Sequence, residues 1–364
     1  MRRRPAMAGL LLLLAPACSP VRGLEAAALL ADIARPAAPE AGARQEIAYD
    51  GADGPRRGLI FRPGGPSRGA LVMAPGAAER ALEDPRLIGF ADAFRNAGFT
   101  VPVPEPPDGD ALRVSAEDAG AVADAARRLL AEGAPAVGYA ALSYAAGPVV
   151  LAALSDDLRD RTAFLLAIGG YRDVTAGIAY LTTGAYRDAP GAPWRRAEID
   201  ARAKWVFLGA NLHWLDDPKD SRVLAELARL RRRDPGAAAP AARLGPQGRA
   251  VLALMENDDP DRVPSLIAAL PARMRAEIAA LDLSARDLSG LSGALILVHG
   301  RRDPLSPWTE SLALAPAAGR GPEAVHLLDG LDHVDLGGLG PADFAELLRA
   351  ALRLLAARDA AAAG

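Results

Sequence analysis

From Gln45 onward the chain alternates short apolar runs with longer stretches in which apolar residues recur at helical spacing. Glu46–Tyr49 and Arg57–Arg62, separated by the turn-rich Asp50–Pro55, predict a first hairpin. Gly69–Ala74 (GALVMA) is continuously apolar, the pattern of a strand buried on both faces. Asp84-Pro85 supplies an N-cap and a first-turn proline for a helix carrying Leu87, Phe90, Ala91 and Phe94, and Gly98 ends it. Strands over Thr100–Val103, Ala136–Leu142 and Thr162–Ile168 then alternate with helices over Asp118–Leu130 and Tyr144–Leu154. Between residues 173 and 290 the pattern predicts several helices and no strand, with Asp217-Pro218 and Asp259-Pro260 as helix starts. Strands resume at Ala294–Val298 and Ala324–Leu328, and Pro341–Ala357 closes the chain as an amphipathic helix. Strands alternating with helices predict an α/β fold with a mostly parallel sheet covered on both faces. The central block is too long for a crossover and too helical for a loop, so it reads as an inserted helical cap.

Composition narrows the partners rather than the fold. Of 364 residues 51% are hydrophobic, ample for a sizeable core, and the net charge of −3 offers no reason to expect nucleic acid. Arg231–Arg233 reads as a solvated helix end, Glu256–Asp259 as a helix start, and Trp205, Phe207 and Trp214 as packing of the cap. The single cysteine excludes a disulfide framework and a Cys-rich metal site, and no phosphate loop or paired-histidine motif is present. No metal or cofactor is therefore called for.

Cys18 follows a basic start (Arg2, Arg3, Arg4), an apolar run to Leu14 and Ala15-Pro16-Ala17. That is the layout of a secretory signal over residues 1–18, and the run is too short to span a bilayer comfortably. Ala15-x-Ala17 suits ordinary signal peptidase, whereas a cysteine at this point suits lipidation and membrane anchorage, with Ala15 standing where a lipobox usually has Leu. Both address the chain to a bacterial envelope, periplasmic or anchored. Leu24–Ala34 has the pattern of a short helix, and residues 19–44 as a whole read as a linker.

Chemistry concentrates at Val137–Val150 (VGYAALSYAAGPVV), where a buried strand runs through Ser143 directly into a helix. Such a turn strains the backbone, projects the serine clear of the sheet and needs small neighbours, here Ala141 and Ala145. Taken alone, Ser143 reads first as a helix N-cap. A serine nucleophile needs a positioned base, and the base an orienting acid. Of the four histidines, His299 and His326 lie within strands, His213 lies in the cap, and His333 alone sits in a turn-like loop after a strand. Asp303, in HGRRDPLSP, follows a buried strand, as does the rival acid Asp173; Asp332 and Asp335 are too close in sequence to orient His333 easily. Oxyanion donors would be the backbone N–H groups of Tyr144 and of Ala77, in the loop after GALVMA, with Ala78 next.

Ser143, Asp303 and His333, in that chain order and those contexts, resemble the α/β-hydrolase superfamily over residues 45–172 and 294–358. The resemblance implies about eight mostly parallel strands, and a lid of residues 173–293 inserted after the sixth. The chain departs from its pattern in two places: Pro75-Gly76 replaces the familiar His-Gly, and Ala141 and Ala145 replace glycines. The expected activity is hydrolysis of a small or lipid-like carboxylic ester through an acyl-enzyme on Ser143. An acyltransferase, thioesterase or peptidase would use the same residues, and a non-catalytic hydrolase-fold lipoprotein would use none. Oligomeric state is not legible.

Overall fold

The computed structural model describes residues 20–35, 42–77, 81–107, 112–239, 241–335 and 337–363. Cys18 and Ala78 lie outside the described residues. Eight strands form the central sheet: β1 (Arg44–Gly51), β2 (Gly54–Phe61), β3 (Gly69–Ala74), β4 (Phe99–Pro104), β5 (Val137–Leu142), β6 (Thr162–Ile168), β9 (Ala294–Gly300) and β10 (Val325–Leu328). Their order across the sheet is β1-β2-β4-β3-β5-β6-β9-β10. The β1–β2 and β2–β4 pairs are antiparallel and all others parallel. The chain runs from β3 outward to β4 and then returns past β3 to β5, so the carboxyl ends of β3 and β5 flank a point where the strand order reverses. Open α/β sheets place their ligands there.

Alternation along the buried strands sends successive side chains to opposite layers. Val72, Tyr139, Leu165 and Leu297 pack on one face, with helices Asp118–Ala131, Ala146–Ala153 and Thr309–Ala317. Leu71, Met73, Leu166, Ile296 and Val298 pack on the other, with helices Pro20–Ala34, Pro85–Asn96 and Pro341–Ala363. Asp84 caps its helix as its sequence predicts, accepting from the Arg86 N–H at 2.9 Å.

Residues between β6 and β9 form a separate helical layer with its own core of Trp205, Leu224, Leu227 and Val263. Each such fully buried side chain contributes about 1.5–3 kcal/mol. Asp217 and Asp259 cap turns beginning at Pro218 and Pro260. The block also holds a hairpin of two rungs, β7 (Ala185–Tyr186) and β8 (Arg195–Arg196), which the pattern did not predict. Two-residue strands are too short to show a periodicity of two. Trp205 lies in the cap core and Trp214 lies against the His213 ring at a tilt of 43°. Arg231 is not solvated as expected: it pairs with Glu256 at 2.6 Å and lies over the Trp205 ring.

The expected linker over 19–44 is corrected. Helix Pro20–Ala34 starts four residues before Leu24 and buries Ala26 and Leu29 against the sheet-covering layer. Arg22 pairs with Asp359, and Glu25 with the buried Arg358. Local spacing foretold a helix; that it docks depends on partners more than 330 residues away.

Candidate active site

β5 ends at Leu142 and a tight turn over Ser143–Ala145 leads into helix Ala146–Ala153. Ser143 adopts a φ of 55° and His333 a φ of 56°; they are the two non-glycine residues with positive φ among the described residues. The left-handed region costs about 1–2 kcal/mol for an L-residue, so the fold strains these two side chains into place. Ala141 and Ala145 are fully buried beside Ser143, and their methyl groups fit where the family pattern has glycine. Ser143 is therefore a strained turn residue rather than a helix N-cap.

His333 occupies a reversal closed by paired backbone bonds between Asp332 and Asp335. Its Nε2 lies 2.7 Å from Ser143 Oγ and its Nδ1 2.7 Å from Asp303 Oδ2. An ionised carboxylate can only accept, so Nδ1 carries the ring proton and Nε2 is left to accept from the serine hydroxyl. Asp303 is buried. Its Oδ1 accepts from the Leu305 and Ser306 N–H groups at 2.8 and 3.0 Å. Burial by itself would raise its pKa, but hydrogen bonds from His299 and His333 outweigh it and hold the carboxyl well below the usual carboxylate range.

The rival acid is placed elsewhere. Asp173 caps helix Val174–Thr183, its carboxylate accepting from the Ala176 N–H at 3.1 Å, and Asp303 is the partner of His333 Nδ1. Both aspartates follow strands, but only the loop after β9 brings its carboxylate to the histidine. Pro75-Gly76-Ala77 follows β3, whose last residue pairs with Ala141 of β5. A β-carbon on Gly76 would lie 2.9 Å from the Leu142 carbonyl oxygen, so this loop passes directly beside the serine turn. The Tyr144 side chain turns aside to hydrogen-bond Asp118.

Above Ser143 and His333 opens a cavity of about 160 Å³. Ile178, Leu181, Phe207 and Leu281 of the cap, with Val114 and Leu305, give it apolar walls.

No known protein-family profile matches the chain, and no curated protein matches it in sequence. Solved structures do. A candidate hydrolase from Legionella pneumophila superposes with a TM-score of 0.54 at 13% identity, covering 87% of this chain and 88% of that one. The rice cell wall degrading esterase LipA from Xanthomonas oryzae superposes with a TM-score of 0.50 at 15% identity, covering 86% and 88%. The chain has the α/β-hydrolase fold.

Within this α/β-hydrolase fold, several residues support the site without having been legible as part of it. His299 is fully buried. Its Nε2 faces two acceptors, Ser306 O at 3.1 Å and Asp303 Oδ2 at 3.4 Å, so it carries the proton there and accepts from Ser311 Oγ at Nδ1. A histidine inside a strand gives no sign of contact with an acid four residues later. His326, read in the same way, bonds only Glu346 and stays remote. Gly169 has a φ of 65°, and a β-carbon there would stand 3.1 Å from the His333 ring. Tyr180 of the cap donates its hydroxyl to the Asp303 carbonyl oxygen at 2.7 Å. Glu310 accepts from the Arg172 and Asp173 N–H groups at the root of the cap, and burial pushes its carboxyl pKa up.

Proposed function

We propose that the protein is a serine hydrolase that cleaves carboxylic esters through an acyl-enzyme on Ser143. The reading is carried by one observation: an unbroken chain of 2.7 Å contacts from Ser143 Oγ through His333 to Asp303. As Oγ attacks the acyl carbon, His333 Nε2 takes its proton, and Asp303 stabilises the imidazolium that forms. The tetrahedral oxyanion is held by the Tyr144 and Ala77 N–H groups. His333 returns the proton to the departing alcohol; water then attacks the acyl-enzyme, giving its proton to His333, and Ser143 recovers the hydroxyl as the acid leaves. The apolar cavity walls support a substrate with an uncharged, hydrophobic acyl or alcohol part.

Fluorophosphonate labelling and hydrolysis of p-nitrophenyl esters test this directly. Ser143→Ala should lose labelling and lower kcat by on the order of 10⁴ or more, with thermal unfolding little changed. Undiminished turnover in that variant would remove the serine from the mechanism.

We further propose that the chain is exported and carries lipid on Cys18. Support comes from the sequence alone: the basic start, the short apolar run and the sole cysteine directly after it. Mass spectrometry of the mature N-terminus decides between a lipid-modified Cys18, a free one and an unprocessed leader.

A further inference from the structure

Helix Pro20–Ala34 lies on the surface, yet its charged side chains are engaged by the body of the protein. Arg22 meets Asp359 at 3.0 Å, Glu25 meets Arg358 at 2.7 Å, and Asp32 accepts from the Asn96 amide at 2.8 Å. The outward face instead presents Val21, Leu24, Ala27, Ala28 and Ala31. Val21 is 63% and Leu24 74% exposed, more than any other large apolar side chain among the described residues. A surface helix facing only water has the opposite polarity.

The position of this face matters. Arg358, which holds Glu25, packs against Gly69 and Phe99, the first residues of β3 and β4. The helix therefore begins at the amino edge of the sheet, whereas Ser143 follows the carboxyl end of β5. Six strand residues at about 3.3 Å each put about 20 Å between those edges. Cys18 stands two residues before Pro20, a reach of at most about 7 Å.

We propose that Val21 and Leu24 seat the protein on a bilayer surface beside a lipid-bearing Cys18. The amino-terminal turns of the helix then rest on the membrane beside the anchor. The inference rests on the lipidation proposed above. The remaining occupant, a second copy of the chain, is disfavoured by area. A 15-residue helix offers a face of about 22 Å by 10 Å, roughly 220 Å², against the about 800 Å² per partner of a stable interface. A second, shallow apolar contact beside an acyl anchor needs no such area.

The test uses the mature chain from Cys18, lipidated in the cell or coupled through the Cys18 thiol to a maleimide-headgroup lipid, in phosphatidylethanolamine–phosphatidylglycerol vesicles. A benzophenone amino acid replaces Leu24 or, separately, the exposed cap residue Leu230. Photolysis should crosslink lipid at position 24 at least tenfold more than at 230. No lipid adduct at 24, or equal adducts at both positions, overturns the proposal. So does a dimer in sedimentation that Val21→Glu with Leu24→Glu dissolves, which would assign the face to a second copy. If Cys18 proves unmodified in cells, the lipidation reading fails by itself, while the coupled chain still tests the face. An inactive chain likewise indicts the ester reading and leaves the crosslinking arm intact.

Discussion

Asp303 gathers more of the site's energetics than any other side chain, because two histidines and two backbone N–H groups converge on one buried carboxylate. Asp303→Asn should cut kcat by about 10³–10⁴, whereas Asp173→Asn should leave both stability and kcat nearly unchanged, because asparagine caps a helix as well as aspartate does. Ester hydrolysis and urea unfolding of both variants check this ranking; its reversal would return the acid to the loop after β6. His299→Leu should lower kcat about tenfold, since Asp303 loses a donor while His333 keeps its partner. The same variant carries a pH signature. Asp303 has a depressed pKa, so its contribution to stability is full above its ordinary value of 3.8 and is lost as pH falls toward the folded value. Its share of the deficit in His299→Leu should thus be present above about pH 4 and shrink below it. Unfolding free energies measured across that window decide the matter.

At the scale of elements, the site is assembled from the carboxyl ends of β5, β6, β9 and β10 and the loops that follow them. The turn after β6 works by what it lacks. Gly169 takes a left-handed φ and leaves room for the His333 imidazole. Gly169→Ala should cost about 1–2 kcal/mol for the backbone and displace the ring enough to lower kcat by on the order of 10²-fold. Thermal melts and kcat measured on one preparation separate the two effects, and unchanged kcat would show that the ring accommodates the methyl group. Periodicity made β3, β5, β6 and β9 readable because a strand covered on both faces is apolar throughout. It missed β7 and β8, whose two rungs carry no period, and the first four residues of the opening helix, where Pro20, Arg22 and Gly23 interrupt any apolar stripe.

Across the whole molecule, helix Pro20–Ala34 and helix Pro341–Ala363 close on each other. Arg358 is buried between Glu25 at 2.7 Å, Asp359 at 2.6 Å and the Ala97 carbonyl at 2.6 Å. Removing one member of such a cluster strands its partners, so Arg358→Ala should destabilise the protein by about 3 kcal/mol and release helix Pro20–Ala34 before the sheet unfolds. Denaturant titration with hydrogen exchange over residues 20–34 reads both effects; full protection of that helix in the variant would mean that Ala26 and Leu29 hold it unaided. The cap is joined to the acid loop through Tyr180 and to its own root through Glu310.

By itself, the sequence determined the layers, the insertion between β6 and β9, and the candidates Ser143, His333 and Asp303. Those features follow from local periodicity and from the short list of residue types able to serve as nucleophile, base and acid. Only the tertiary structure shows that the Asp303 carboxylate, and not that of Asp173, reaches the imidazole, because both follow strands and the placement is three-dimensional. It also decided the part played by His299, the space reserved by Gly169 and the docking of the first helix. Each of these depends on approaches between segments distant along the chain or on a backbone angle, and neither leaves a mark in the hydrophobic pattern.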